Sequence, residues 1–185
     1  VYNWQDYINE GDDETLSVID QFEVYYKNKY NKEIEVEYYT FETNENMLNV
    51  LRTGKSQYDL VCPSDYVIQK MIKEGMLEKF DAGSVPNYDS YGATYIKDLF
   101  ARNKVTVDGV DHYWNDYAVP YMWGTMGFMY NPENVDEEDI KSWSILWDED
   151  YKYKATLKDA VRDTYVAAAM YVYQDELKAL NENLV

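Results

Sequence analysis

The chain has 185 residues, 46% of them hydrophobic and 17% aromatic, which is enough to bury one full core and part of a second and excludes a disordered chain. Its 35 acidic and 17 basic side chains give a formal net charge of −18, which repels phosphate backbones and anionic membranes and argues against a nucleic-acid partner. A negative charge suits a cationic ligand, although acidic side chains also keep many proteins soluble without binding anything.

Strands and helices alternate over residues 1–75, and this order predicts a mostly parallel sheet with helices on its faces. The predicted strands are residues 1–4, 34–38 and 60–62. The predicted helices start within residues 11–14, at Thr43, and at Ser64 or Asp65, and the last two end at Gly54 and Gly75. Their inward side chains are predicted to be Leu16, Ile19, Phe22 and Tyr26 in the first helix, Met47, Leu48 and Leu51 in the second, and Val67, Ile68, Met71 and Ile72 in the third.

Residues 81–103 are expected to form a surface excursion that contains a short helix at 95–100. A β-hairpin follows at 105–114, because alternating residues flank an Asp-Gly dipeptide that is typical of a two-residue turn. Asp108 and Asp111 lie in this hairpin without the further carboxylates of a calcium loop. No metal site is therefore predicted there.

Single occurrences of cysteine and histidine exclude several kinds of site. Cys62 is the only cysteine, so no disulfide can form within the chain, and its apolar strand predicts a buried thiol. His112 is the only histidine, which removes the basis for a zinc site or a Ser-His-Asp triad. No run of about 18 apolar residues is present, and no charged and apolar leader precedes Val1, so for an exported protein we expect this to be a mature or trimmed form.

Residues 119–131 are apolar, aromatic and interrupted by glycine, and we predict a strand pair there that crosses from one lobe to another. The expected organisation is a first α/β lobe at 1–118, hinge-crossing strands at 119–131 and a partial second lobe at 132–185. The last part is predicted to contain a short helix capped by Ser142, a strand at 154–157 and a helix at 161–180. The inward side chains of these helices are predicted to be Trp143, Leu146, Trp147, Val166, Met170 and Val172 or Tyr173.

Four of the five loops that follow the predicted strands combine aromatic side chains with carboxylates or polar groups, and the fifth, 159–163, has two carboxylates without an aromatic. The five loops span residues 4–7, 40–44, 64–66, 123–125 and 159–163. Ligands of doubly wound sheets bind at the carboxyl ends of the strands. Carboxylates can pair with ammonium groups there, and Tyr and Trp rings attract cations and cover methylenes. The loops therefore predict an alkylammonium site, although any single one among 21 tyrosines is equally compatible with surface or packing.

Five segments, in matching order and spacing, resemble the spermidine/putrescine-binding proteins of bacterial polyamine ABC importers. They are YNWQDY at 2–7, YDLVCPSDY at 58–66, KEGML at 73–77, VPYMWG at 119–124 and SWSILW at 142–147. The resemblance implies an α/β fold: a periplasmic-binding-protein-like (type II) lobe with a mixed, mainly parallel sheet, plus the incomplete start of a second lobe. Family members continue through the rest of lobe two and return to lobe one.

The same resemblance implies a function. A receptor of this family captures a linear polyamine, such as putrescine or spermidine, in an interlobe cleft and delivers it to a membrane-embedded ABC permease. It implies a non-catalytic monomer without cofactor or metal, located outside the cytoplasm in the periplasm or at the cell surface as a lipid-anchored protein. A chain limited to one lobe and the start of another is expected to bind polyamine weakly, because half a cleft leaves the ammonium groups solvated.

The ligand-binding residues implied by the resemblance are Trp4, Gln5, Asp6, Tyr7, Ser64, Asp65, Tyr66 and Asp163, with Asp159 and Trp123 as further candidates. Two positions depart from the family pattern. Ala160 stands where a second acid is common, and Gln5 stands where a hydroxyl is common. These departures leave open which polyamine is preferred, although Asp159 is placed to compensate for the missing acid.

Three alternatives remain open from the residues alone. One is a receptor for another small cation or a metal chelate. Another is a glycoside hydrolase that uses paired carboxylates, for which Asp159 with Asp163 or Asp6 with Asp65 are the candidates. The third is a non-catalytic surface interaction domain, which the acidity favours.

Overall fold

The computed structural model describes residues 1–182, which divide into two units, Val1–Trp123 and a second that starts at Gly124. The strands and α-helices of the first unit are β1 (Tyr2–Trp4), α1 (Val18–Tyr30), β2 (Tyr39–Phe41), α2 (Asn44–Arg52), α3 (Asp65–Lys73), α4 (Pro86–Tyr91), α5 (Thr94–Arg102), β3 (Lys104–Val107) and β4 (Val110–Tyr113). The second unit contains α6 (Val161–Val172) and α7 (Gln174–Glu182). Short 3-10 turns occur at Ala82–Ser84, Trp114–Asp116, Asp139–Lys141, Trp143–Trp147 and Glu149–Tyr151.

The strand β1 is the middle of three parallel extended segments. It pairs with β2 in the register Tyr2 opposite Tyr39. On its other side Tyr2 forms an isolated parallel bridge to Val61, in which the Tyr2 N–H donates to the Leu60 carbonyl at 2.9 Å. The predicted third strand therefore occupies the predicted place, but it is limited to a single bridge.

The second strand lies further along the chain than predicted. The prediction placed it at residues 34–38, whereas the ladder covers Tyr39–Phe41. The Val36 N–H donates to the carboxylate of Glu23 at 2.8 Å instead of to a neighbouring strand. Alternation placed the strand a few residues too early, because the hydrogen-bond partner decides where a strand forms.

The helices α2 and α3 have the predicted starts and the predicted buried faces. The Thr43 hydroxyl caps α2 by accepting from the Asn46 N–H at 3.2 Å. Met47 and Leu48 are buried in one cluster with Tyr2, Phe41, Val67 and Met71. Ile68 and Ile72 lie on the other side of α3, in a second cluster. The α3 helix thus connects the two parts of the core.

The helix α1 differs from its prediction at its start and on its face. Its N-cap is Ser17, which forms a capping box with Asp20, instead of a residue within 11–14. No residue of α1 is buried in the part of the chain described, and two residues predicted to face inward, Leu16 and Phe22, are 56% and 42% exposed. Periodicity predicts an amphipathic helix, but burial also requires an element that packs against it.

Residues 81–103 contribute to the core, so the prediction of a surface excursion is wrong for α5. Ile96 and Phe100 are buried beside Trp114 in the second cluster. The predicted hairpin is confirmed as β3 and β4, with positive φ at Asp108 (50°) and Gly109 (79°) in the turn. Ile96, Phe100 and the hairpin thus form part of the core of the first unit.

The predicted strands at 119–131 and 154–157 are absent from the described structure, because no other segment pairs with them. Trp123 is 67% exposed and Met129 is fully exposed. The boundary between the two units falls between Trp123 and Gly124. The hinge role of residues 119–131 stays a prediction.

The second unit contains the predicted helix at 161–180 as two helices, α6 and α7, separated at Tyr173. Met170, Val172 and Tyr173 are 59%, 63% and 54% exposed, so these inward assignments are wrong. Ser142 caps the Trp143–Trp147 turn as predicted, with its hydroxyl accepting from Ser144 N–H. Trp147 stacks on Tyr171 at 4.1 Å between ring centroids, and this contact joins the turn to α6. Among residues 1–182, no helix has the length and apolar content needed to cross a bilayer.

Candidate functional site

The loops at the carboxyl ends of the parallel segments are tied to one another in the first unit. The Gln5 N–H donates to the Phe41 carbonyl at 3.3 Å, which joins the loop after β1 to the end of β2. The Ser64 N–H donates to Asn44 Oδ1 at 3.2 Å, which joins the third loop to the start of α2. The parallel arrangement thus brings three of the predicted loops to one edge.

Trp4 supplies the aromatic surface of this edge. Its ring lies 4.7 Å from the ring of Phe41, measured between centroids and tilted by 53°, and its side chain is half-buried. Phe41 is only 4% exposed and belongs to the core. Trp4 is therefore supported by a fixed neighbour while part of its surface stays accessible.

Tyr7 lies at the other end of the same loop. Its ring is 5.8 Å from that of Tyr121 in an edge-to-face arrangement, and the Tyr121 hydroxyl donates to the Tyr7 carbonyl at 3.1 Å. Between Trp4 and Tyr7 the chain turns sharply at Asp6, which has a positive φ of 56° that aspartate tolerates better than most residues. Gln5 and Asp6 are exposed at this turn.

A polar network centred on Asn44 joins two of the predicted site residues. The Asn44 amide nitrogen donates to the Ser64 hydroxyl at 3.0 Å and to the Tyr66 hydroxyl at 2.9 Å. The Tyr66 hydroxyl donates in turn to the Glu45 carboxylate at 3.4 Å. Asp65 is exposed and accepts from the Tyr66 N–H at 2.7 Å. Asn44 and Glu45 were not among the predicted site residues, although Asn44 ends the predicted loop 40–44.

The remaining candidates are Asp163, Asp159 and Trp123. Asp163 belongs to the second unit, where its carboxylate accepts from Lys158 Nζ at 2.7 Å. Its side chain is 31% exposed, against 75% for that of Lys158. Asp159 is exposed in the same loop. Trp123, at the end of the first unit, is largely exposed and has the ring of Tyr95 6.5 Å away.

The side chains considered for nucleophilic or metal chemistry have the surroundings of structural residues. Burial raises the pKa of the Cys62 thiol, so the thiolate needed for nucleophilic chemistry is disfavoured. Asp111 accepts from Lys104 at 2.5 Å and from Thr106 at 2.7 Å within the hairpin. Over residues 1–182, no three or more Cys, His, Asp or Glu side chains cluster in a way that could hold a metal ion.

Comparison with protein families gives one match over most of the chain. Residues 17–183 match the family model described as bacterial extracellular solute-binding protein. A spermidine/putrescine-binding periplasmic protein of Salmonella typhimurium is 35% identical over 170 residues, which cover 90% of this chain and 42% of that protein. The putrescine-binding periplasmic protein SpuD of Pseudomonas aeruginosa is 36% identical over 154 residues, which cover 80% of this chain and 36% of that protein.

Comparison with solved structures also finds a spermidine/putrescine-binding protein. The spermidine/putrescine ABC transporter substrate-binding protein PotD of Streptococcus pneumoniae superposes with a TM-score of 0.55 at 29% identity, covering 81% of this chain and 39% of that chain. The chain thus shares the fold of the corresponding part of that protein. It spans about two fifths of the length of the curated relatives named above.

Proposed function

The chain belongs to the bacterial extracellular solute-binding protein family, and on this premise we propose that the protein carrying it is a polyamine receptor. In the proposed function it captures putrescine, spermidine or a similar linear polyamine outside the cytoplasm and delivers it to a membrane-embedded ABC permease. The observation that carries the proposal is that Trp4, Ser64 and Tyr66 lie at one edge of the first unit. Ser64 and Tyr66 are joined there through Asn44. The names of the relatives, which include spermidine and putrescine, support the choice of ligand.

The chemistry of this edge suits an alkylammonium group. An ammonium ion donates three hydrogen bonds and accepts none, so it needs oxygen acceptors and negative charge. The hydroxyl oxygens of Ser64 and Tyr66 supply acceptors. Negative charge comes from Glu45, which belongs to the same network, and from Asp6 and Asp65, which are close to the site residues in the sequence. The ring of Trp4 attracts cations and covers methylenes, and a desolvated cation–π contact contributes about 2 kcal/mol or more.

Asp163 supplies the proposed carboxylate of the second unit. Its partner in the described structure, Lys158, is itself an alkylammonium group. A carboxylate that accepts from a lysine has the geometry to accept from the terminal amine of a polyamine, because the two donors are chemically the same. Transport, rather than catalysis, is the activity of the family, so we propose that these carboxylates act by charge pairing alone.

A thermal-shift panel on the full-length gene product tests the proposal. Putrescine, spermidine and spermine are compared with 1,4-butanediol, which has the length of putrescine without its charges. Binding to the native state should raise its stability by about 2.7 kcal/mol at a hundredfold excess of ligand over the dissociation constant. Absence of a shift with every amine would overturn the proposed function, and a shift with the diol would contradict the role given to charge.

Replacing Lys158 by glutamine should strengthen polyamine binding two- to fivefold, by about 0.5–1 kcal/mol, because the ligand no longer competes with an internal ammonium for Asp163. Isothermal titration with putrescine in low salt measures the effect. Lys152→Gln is the matched control, since Lys152 forms a comparable exposed pair with Glu149 in the same unit. Weaker binding by Lys158→Gln, or equal gains in both variants, would contradict the competition.

A further inference from the structure

We propose that Asn44 is a positioning residue of the polyamine site, one that fixes the Ser64 and Tyr66 hydroxyls as acceptors for an ammonium group and so sets its affinity. This inference rests on the proposed function, since it concerns the same ligand. Its first support is geometric. Asn44 is 5% exposed and makes three hydrogen bonds to Ser64 and Tyr66 at the start of α3, two through its amide nitrogen and one through its amide oxygen.

The orientation of the Asn44 amide follows from its neighbours. A backbone N–H can only donate, so the atom that faces Ser64 N at 3.2 Å must be the amide oxygen. The amide nitrogen must then face the two hydroxyl oxygens. Since an amide nitrogen has two hydrogens, one is available for each hydroxyl, and both are used.

This arrangement determines how the two hydroxyls are oriented. Each hydroxyl oxygen accepts from Asn44, so the proton of each hydroxyl must point away from the amide. For Tyr66 that direction leads to the Glu45 carboxylate, 3.4 Å away. A hydroxyl that donates to a carboxylate becomes a stronger acceptor, because hydrogen bonds in a chain polarise one another. An approaching ammonium therefore meets the Tyr66 oxygen beside the Glu45 carboxylate.

The position of Asn44 in the fold makes this orientation rigid. Asn44 is the first residue of α2, whose next turn contributes the buried Met47 and Leu48 to the core. Ser64 and Tyr66 stand at the start of α3, which buries Val67 in the same cluster. Asn44 thus joins two helices that the core already holds in place, and its removal would leave the Ser64 N–H and two hydroxyls without this partner.

A double-mutant cycle in the full-length protein tests the role, with affinity for putrescine and spermidine measured by isothermal titration. Asn44→Ala should weaken binding about tenfold, as expected for the loss of buried hydrogen bonds. In a Tyr66→Phe background the same change should weaken binding by no more than about threefold, because one of the two hydroxyls through which Asn44 acts is gone. Asn46→Ala, an exposed substitution of the same type on α2, should leave affinity unchanged.

Equal losses in the two backgrounds, or no loss from Asn44→Ala, would overturn the positioning role while leaving the proposed function intact. If the unmodified protein binds neither polyamine, the proposed function fails and the positioning role fails with it. Circular dichroism checks that each variant folds. Should Asn44→Ala not fold, Asn44→Ser replaces it in the cycle, since serine retains a polar group at a helix start, and the same comparison of backgrounds applies.

Discussion

Replacing Met47 with alanine is expected to lower the free energy of unfolding of the first unit by about 2–5 kcal/mol, which is the range for large-to-small changes in a packed core. Met47 is fully buried and packs in the cluster that contains Tyr2, Phe41, Val67 and Met71. The loss combines the transfer free energy of the missing atoms with the cost of a cavity that the neighbouring side chains fill only in part. Urea denaturation followed by far-UV circular dichroism measures it.

The control for Met47 is the same substitution at Met122, which lies in the first unit and is 51% exposed. Met122→Ala should change the free energy of unfolding by less than about 0.5 kcal/mol, as is usual for surface positions. A loss below about 1 kcal/mol for Met47→Ala would mean that the first cluster is not the principal core of the unit.

Replacing Trp4 with alanine should weaken binding of putrescine to the full-length protein roughly 30-fold or more, since a desolvated cation–π contact contributes about 2 kcal/mol or more. Trp4 is half-buried against Phe41, so its ring needs no ordering when the ligand arrives. Isothermal titration measures the affinity, and the thermal midpoint of each variant shows whether the fold is kept.

Trp4→Phe is the matched variant, because it keeps an aromatic face of weaker cation affinity beside Phe41. Its binding should fall between those of the unmodified protein and Trp4→Ala. Unchanged affinity in Trp4→Ala would show that the ligand lies elsewhere, even if the protein binds polyamine. An equal loss in both variants would show that the indole itself, and not an aromatic face, is required.

The sequence predicted best where side chains find their partners close along the chain. The faces of α2 and α3 were predicted correctly because Met47, Val67 and Met71 meet one another within a single α-β-α stretch. The hairpin was predicted because the Asp108-Gly109 turn determines its own geometry. In these cases local chemistry is enough to fix the local structure.

Prediction failed where the outcome depends on a distant partner. A strand needs a neighbour to pair with, and the described chain gives none to 119–131 or 154–157. The position of β2 was determined by its register against β1, which alternation cannot reveal. Burial of the α1 face depends in the same way on another element.

At the candidate site, some residues were selected from the sequence and Asn44 was missed. Resemblance to a family selected Trp4, Ser64 and Tyr66, and the structure joins Ser64 and Tyr66 through Asn44. Asn44 was missed because a polar residue at a helix start usually caps the helix or faces water, and only the fold shows that its amide is buried. The binding roles of these residues stay predictions until the titrations are made.

The helix α1 has a consequence for the motions of the molecule. Its 13 residues are near the minimum for a helix that persists without tertiary support, and none of its side chains is buried among residues 1–182. The capping box at Ser17 and the left-handed residue Asn31 at the other end therefore supply much of its stability. Such a helix can open and reclose while α2 and α3 stay folded, so we expect the opening of α1 to be separate from the opening of the edge formed by the loops after β1, β2 and Val61.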